Sequence, residues 1–207
     1  MKTIITAHSG CEGTAPNSMD HILTALSCGS EMLEIDVRDH NGALYLSHDL
    51  GDPEACVAFG DFLDVLKKSP AVRVNCDVKT DGLAGAVMEE ANRRHMAEQI
   101  VFTGSCMGEE ALIGRTGGEF WYSIWDREDL ETALASMVKT GAKVPNLPHG
   151  FVTEEVKAHT DSLGIGLSCW TADSEEVIRR LLALGVYNIT TRKPVLALKL
   201  RRVMQGE

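Results

Sequence analysis

Short runs rich in β-branched and aromatic residues alternate with stretches of helical pattern from one end of the chain to the other. This alternation constrains the fold more than any single motif. The runs at 3–8, 32–37, 72–78, 99–104, 119–124, 143–147, 165–170 and 186–190 read as strands. Between them, 17–28, 59–68, 82–95, 107–114, 126–140, 153–163, 174–184 and 194–204 read as helices, with Asn17/Ser18, Thr153 and Ser174 as caps. Eight strands, each followed by a helix, close most naturally into an α/β (β/α)8 TIM barrel with reactive groups at the carboxyl ends of the strands; an open doubly wound sheet is the runner-up. The 207 residues suit one such domain spanning 1–207. After the second strand, the stretch RDHNGALYLSHD carries an Asn41-Gly42 turn, which predicts a short hairpin that returns His48 to the barrel mouth.

Charge and hydropathy exclude several classes of partner. Thirty acidic side chains against twenty basic ones give a formal charge of -10, which repels a phosphate backbone, so nucleic acid is not an expected partner. No apolar run approaches the roughly 20 residues of a spanning helix, and the start MKTIITAHSG turns polar too soon for a signal-peptide core. The expectation is a cytoplasmic protein without stable membrane insertion. Six cysteines are scattered with no C-x-x-C pair, as reduced and mostly buried thiols; only Cys11 lies close in sequence to a histidine, His8.

The chemistry concentrates on two strands. Side chains two apart share a face, so Glu34 and Asp36 of LEIDV point into the barrel while Leu33, Ile35 and Val37 point to the helices. The same period places Asn75, Asp77 and Lys79 on one face of the third strand. Three converging acids need a cation or a proton between them, and hard oxygen donors favour one divalent cation, Mg²⁺ or Ca²⁺. The bland reading is that some of these acids pair with Lys79 or face solvent. His8 ends the first strand and His48 ends the hairpin beside Asp49, so both imidazoles reach one mouth and can relay protons. His21, His95 and His159 fall within predicted helices as surface or packing residues. Trp121 and Trp125 flank the fifth strand, one expected in the mouth and one in packing.

Taken in order, AHSG, APNS, LEIDV, the NG turn, SHD, NCDVK, SCWTAD and GVYNITTRKP resemble the glycerophosphodiester phosphodiesterase family along nearly the whole chain. The resemblance implies a (β/α)8 barrel, metal ligation by Glu34, Asp36 and Asp77, and an acid/base pair of His8 and His48. It further implies that Lys79 lies near the phosphate and that Trp170 lines the pocket for the alcohol part. Asp77 stands where the family usually has a longer glutamate. Ser9 replaces the family's arginine at a substrate-binding position, and serine cannot supply that charge. No acid follows Pro16, although Glu12 lies near that space, and Arg192 stands where the family often has an aspartate.

The resemblance implies an enzyme, a phosphoric diester hydrolase. Its small-molecule substrate would be a phosphodiester such as glycerophosphocholine, cleaved to glycerol 3-phosphate and an alcohol. The alternative is a catalytically weakened relative that binds or regulates. A sugar-phosphate isomerase or aldolase on the same barrel fits the histidine order less well.

Overall fold

The computed structural model describes residues 2–126, 130–140 and 142–206. Its ten-stranded sheet closes on itself through the fifth barrel strand. Strands β1 (Ile4–Ala7), β2 (Met32–His40), β4 (Arg73–Val78) and β5 (Ile100–Gly104) run parallel, as do β8 (Pro145–Pro148), β9 (Ser168–Trp170) and β10 (Asn188–Thr191). Segments β6 (Glu119–Phe120) and β7 (Tyr122–Ser123) are two halves of one strand. The first half pairs with β5 and the second with β8, and the hand-over falls at Trp121, whose N–H donates to Phe102 O while that of Tyr122 donates to Val144 O. The predicted (β/α)8 barrel is therefore the observed one.

The strand β3 (Ala43–Leu46) lies outside the barrel path, antiparallel to β2. Asn41 and Gly42 both have positive φ, 52° and 84°, as a two-residue type I′ hairpin turn requires. The helices are α1 (Met19–Ser27), α2 (Phe59–Leu66), α3 (Ala84–Arg93), α4 (Glu110–Arg115), α5 (Leu130–Thr140), α6 (Glu154–Ser162), α7 (Glu175–Leu184) and α8 (Pro194–Arg201). The Oγ atoms of Ser18, Thr153 and Ser174 accept the first-turn N–H groups of α1, α6 and α7. Residues 127–129 of the helix expected at 126–140 lie outside the described residues. His95, expected inside a helix, instead follows the end of α3 with a left-handed φ of 59°.

Period-two alternation separates two cores. Leu33, Ile35 and Val37 are fully buried between sheet and helices with Ile22, Phe62 and Leu63. Inside the barrel, Met32, Val101, Trp121 and Val144 form an apolar plug toward the amino ends of the strands. Below it Arg201, 2% exposed, pairs with Glu31 at 2.7 Å and donates to Thr3 O, tying the last helix across the barrel floor. Above the plug comes a hydrogen-bonded polar layer. Thr6 Oγ1 donates to Asn188 Oδ1 at 2.6 Å, Asn188 Nδ2 to Ser168 Oγ, and Ser168 Oγ to Asn146 Oδ1 at 2.8 Å. Thr103 Oγ1 donates to Asn75 Oδ1 on the opposite wall.

The end of β5 passes so close to β4 that only glycine fits. A Cβ on Gly104 would sit 2.2 Å from Asp77 Oδ1 and 2.4 Å from Val78 O, and its φ of 82° disfavours any side chain. Gly104→Ala is expected to destabilise the fold by about 2–4 kcal/mol, measured by denaturant unfolding; an unchanged midpoint would contradict this packing account.

Candidate metal and phosphate site

An open cavity of about 260 Å³ lies at the carboxyl ends of the barrel strands, lined by acids, imidazoles and tryptophan. On its floor Glu34, Asp36 and Asp77 each direct one carboxylate oxygen into a group whose members lie within 4.8 Å of one another. The register explains this convergence: β2 and β4 pair in parallel with Asp36 beside Asp77, so period two on both strands aims all three acids inward.

Burial sets the charge of each acid. Glu34 is pushed well above the usual carboxylate range by desolvation, then by the negative charges of Asp77 and Asp36. Its Oε2 is buried with no hydrogen-bond partner. Desolvation also acts on Asp36, but the Lys79 charge and hydrogen bonds from Asn17 and Lys79 outweigh it, and its pKa falls below the ordinary value. Asp77 is raised, chiefly by burial, against the opposing pull of Lys79. Lys79 Nζ bridges the two aspartates, 2.9 Å from Asp36 Oδ1 and 2.6 Å from Asp77 Oδ2. Burial lowers the lysine's affinity for its proton, but the two aspartates more than compensate.

Hard oxygen donors and an orphaned Glu34 oxygen fit a divalent cation such as Mg²⁺ or Ca²⁺ better than zinc. The ion pairs of Lys79 also show that the bland reading is correct in part: this lysine neutralises two of the three acids.

His8 follows β1 and places Nε2 3.6 Å from Glu34 Oε2. Its Nδ1 donates to Ser9 O at 2.8 Å, which leaves Nε2 of the neutral ring as a proton acceptor facing the cavity. Burial, ahead of the nearby Arg192 charge, holds the imidazole pKa below its usual value. His48 also lines the cavity but is exposed at its rim, with Nδ1 2.9 Å from Asp49 Oδ1. Two contacts bring it there. Ser47 N donates to Asp36 O, and Arg38 donates through Nε and Nη2 to His48 O at 3.0 and 2.7 Å.

Trp170 lines the mouth with Trp125, their ring centroids 4.9 Å apart and their planes at 61°. Trp125 is 61% exposed, whereas Trp121 packs in the lower barrel, which settles which tryptophan takes which role. Ser9 is buried, and its hydroxyl donates to Asp36 Oδ2 at 3.2 Å. Glu12 instead accepts from Val195 N at the start of α8. Cys11 is fully buried with its thiol pushed up to about 12, chiefly by burial, so it has no nucleophilic form near neutral pH.

Two positioning residues escaped the sequence reading. Asn17, expected as a helix cap, uses its amide on Asp36 instead: Nδ2 donates to Asp36 Oδ2 at 2.7 Å and Oδ1 accepts from Asp36 N at 2.9 Å. A left-handed φ of 56° turns it inward, and Ser18 caps α1. His21 is fully buried, with Nε2 3.1 Å from Glu34 O, bracing the backbone of β2. The one signal for Asn17 in the sequence was its place in the APNS stretch that carries the family resemblance.

No family model matches the chain, and no curated protein matches it in sequence. Solved structures do match over its whole length. A candidate glycerophosphoryl diester phosphodiesterase from Agrobacterium tumefaciens is similar with a TM-score of 0.89 and 16% identity, over 100% of both chains. A phosphodiesterase from Oleispira antarctica, in complex with the product sn-glycerol-3-phosphate, matches with a TM-score of 0.79 and 14% identity, over 96% of each chain. The glycerophosphodiester phosphodiesterase of Thermotoga maritima matches at 0.74 and 21% identity, over 97% of this chain and 99% of that one. At these identities the likeness establishes architecture: this chain has the fold of the glycerophosphodiester phosphodiesterase structures, a single (β/α)8 barrel.

Proposed function

We propose that the chain is a divergent, metal-dependent glycerophosphodiester phosphodiesterase. It would cleave a diester such as glycerophosphocholine to glycerol 3-phosphate and an alcohol. The observation that carries this reading is the group of Glu34, Asp36 and Asp77 beside His8, at the mouth of a barrel whose structural relatives include one holding sn-glycerol-3-phosphate. Glu34, Asp36 and Asp77 would hold one Mg²⁺ or Ca²⁺ ion. When bound, such an ion supplies the positive charge that neutralises a non-bridging phosphate oxygen and lowers the barrier to attack.

The side chains divide the remaining work. His8 is the general base: its Nδ1–H is committed to Ser9 O, and its neutral Nε2 takes the proton from the attacking oxygen, either water or the adjacent glycerol hydroxyl. His48, held at the rim beside Asp49, returns a proton to the departing alkoxide. Lys79 holds Asp36 and Asp77 together by pairing with both, and it lines the cavity in which the phosphate would bind. Trp170 and Trp125 offer aromatic faces to the alcohol part.

The ion pairs of Lys79 favour one second reading, a protein that binds diesters without turnover because lysine already neutralises two acids. Ligand binding without product would select that reading. Among the described residues no helix is long and apolar enough to cross a membrane. The six free thiols suit a reducing compartment such as the cytoplasm.

A chelator is expected to lower hydrolysis of glycerophosphocholine at least about 100-fold, and added Mg²⁺ or Ca²⁺ to restore it. His8→Ala is expected to lower kcat by about 10²–10⁴-fold. Turnover indifferent to both changes would refute the proposed chemistry. Because Asn17 orients Asp36 through both amide atoms, Asn17→Ala should weaken divalent-ion affinity by about 10–100-fold in calorimetry. Wild-type affinity in that variant would show that Asp36 needs no such support.

A further inference from the structure

Among the described residues, only two lysine or arginine side chains line the cavity, Lys79 and Arg192. Lys79 is engaged by Asp36 and Asp77, so its charge is largely spent on the protein's own carboxylates. Ser9 carries no charge and turns its hydroxyl to Asp36. An anionic phosphodiester entering this acid-floored cavity therefore needs another fixed donor, and Arg192 stands where one is required.

Its place follows from the sheet. The parallel register pairs Ala7 with Thr191, so the next step along both strands puts Arg192 beside His8 at the cavity mouth. The backbone there is fastened on both sides: His8 N donates to Thr191 O and Glu12 N to Arg192 O, each at 2.9 Å. Asp173 then orients the residue. Its Oδ1 accepts from Arg192 N at 2.7 Å and its Oδ2 pairs with Arg192 Nη1 at 2.9 Å. This is the one ion pair of the Arg192 side chain among the described residues. The side chain is 49% exposed, and its Nη2 and Nε stay available as a planar fork, the geometry that binds phosphate with two parallel hydrogen bonds.

We propose that Arg192 is the phosphate anchor of this site. In this role its guanidinium binds the non-esterified oxygens of the substrate and product, and Asp173 positions it. The inference rests on the phosphodiesterase reading for its substrate but makes a separate claim about one side chain.

The test compares wild type, Arg192→Gln and Arg192→Lys, each in its divalent-ion-bound form. The readouts are the Kd for sn-glycerol 3-phosphate by calorimetry, the Kd for the ion alone, and kcat and KM on glycerophosphocholine. A lost charge-assisted fork predicts that Arg192→Gln weakens glycerol 3-phosphate binding by on the order of 10–100-fold. KM should rise more than kcat falls, ion affinity should stay within about twofold, and lysine should restore part of the loss. Product binding in Arg192→Gln within about threefold of wild type overturns the anchor, as does a wild type that fails to bind glycerol 3-phosphate. If that binding depends on Arg192 but no diester is hydrolysed, the anchor stands and the phosphodiesterase reading falls. If Arg192→Gln hydrolyses diesters with wild-type KM, the reading stands and the anchor falls.

Discussion

Three carboxylates held together at the top of a closed barrel are the constraint around which the rest of the structure is arranged. Each buried ion costs several kcal/mol in lost hydration, and like charges in one cavity add repulsion. The chain meets this cost differently at each acid. The Asp36 carboxylate is the most heavily solvated by protein, taking the Lys79 ammonium, the Asn17 Nδ2–H and the Ser9 hydroxyl. Asp77 shares the same lysine. Glu34 receives no comparable help: it is raised well above the carboxylate range, and its Oε2, 3.6 Å from His8 Nε2, has no hydrogen-bond partner. Such an orphan is costly unless something outside the chain completes it. The functional reading starts from that incompleteness.

The barrel interior supports the cluster by layers. An apolar plug of Met32, Val101, Trp121 and Val144 fills the lower half of the barrel. The Thr6–Asn188–Ser168–Asn146 chain above it satisfies its own polar groups and forms a rigid deck beneath the cavity. The hairpin β3 then lays Ser47 against the Asp36 carbonyl and presents His48 over the rim. An exposed imidazole after the hairpin and a half-buried one after β1 line the same cavity, so the two histidines would meet the substrate from different environments.

Much of this was legible in the sequence because it depends on local period. Alternation along LEIDV and VNCDVK sets which acids face inward, and the Asn41-Gly42 pair predicts the hairpin from local turn chemistry alone. The barrel followed from eight strand-and-helix units. Positions whose role depends on register between distant strands were not legible. Asn17 meets Asp36 only because β1 and β2 are neighbours, and Gly104 matters only because β5 crowds Asp77. The division of the fifth strand at Trp121 likewise reflects where the barrel closes, not any propensity of that tryptophan. Lys79, placed near the phosphate by resemblance, lies first of all against two carboxylates.

The central claim, that Glu34, Asp36 and Asp77 share one ion, is tested most directly by diffraction from crystals soaked in Mn²⁺, located by its anomalous signal. The account predicts a single strong peak within ~2.0–2.6 Å of an oxygen from each of the three side chains, with Glu34 Oε2 no longer orphaned. Soaked crystals with no peak in this cavity, or a peak touching none of these carboxylates, would contradict it.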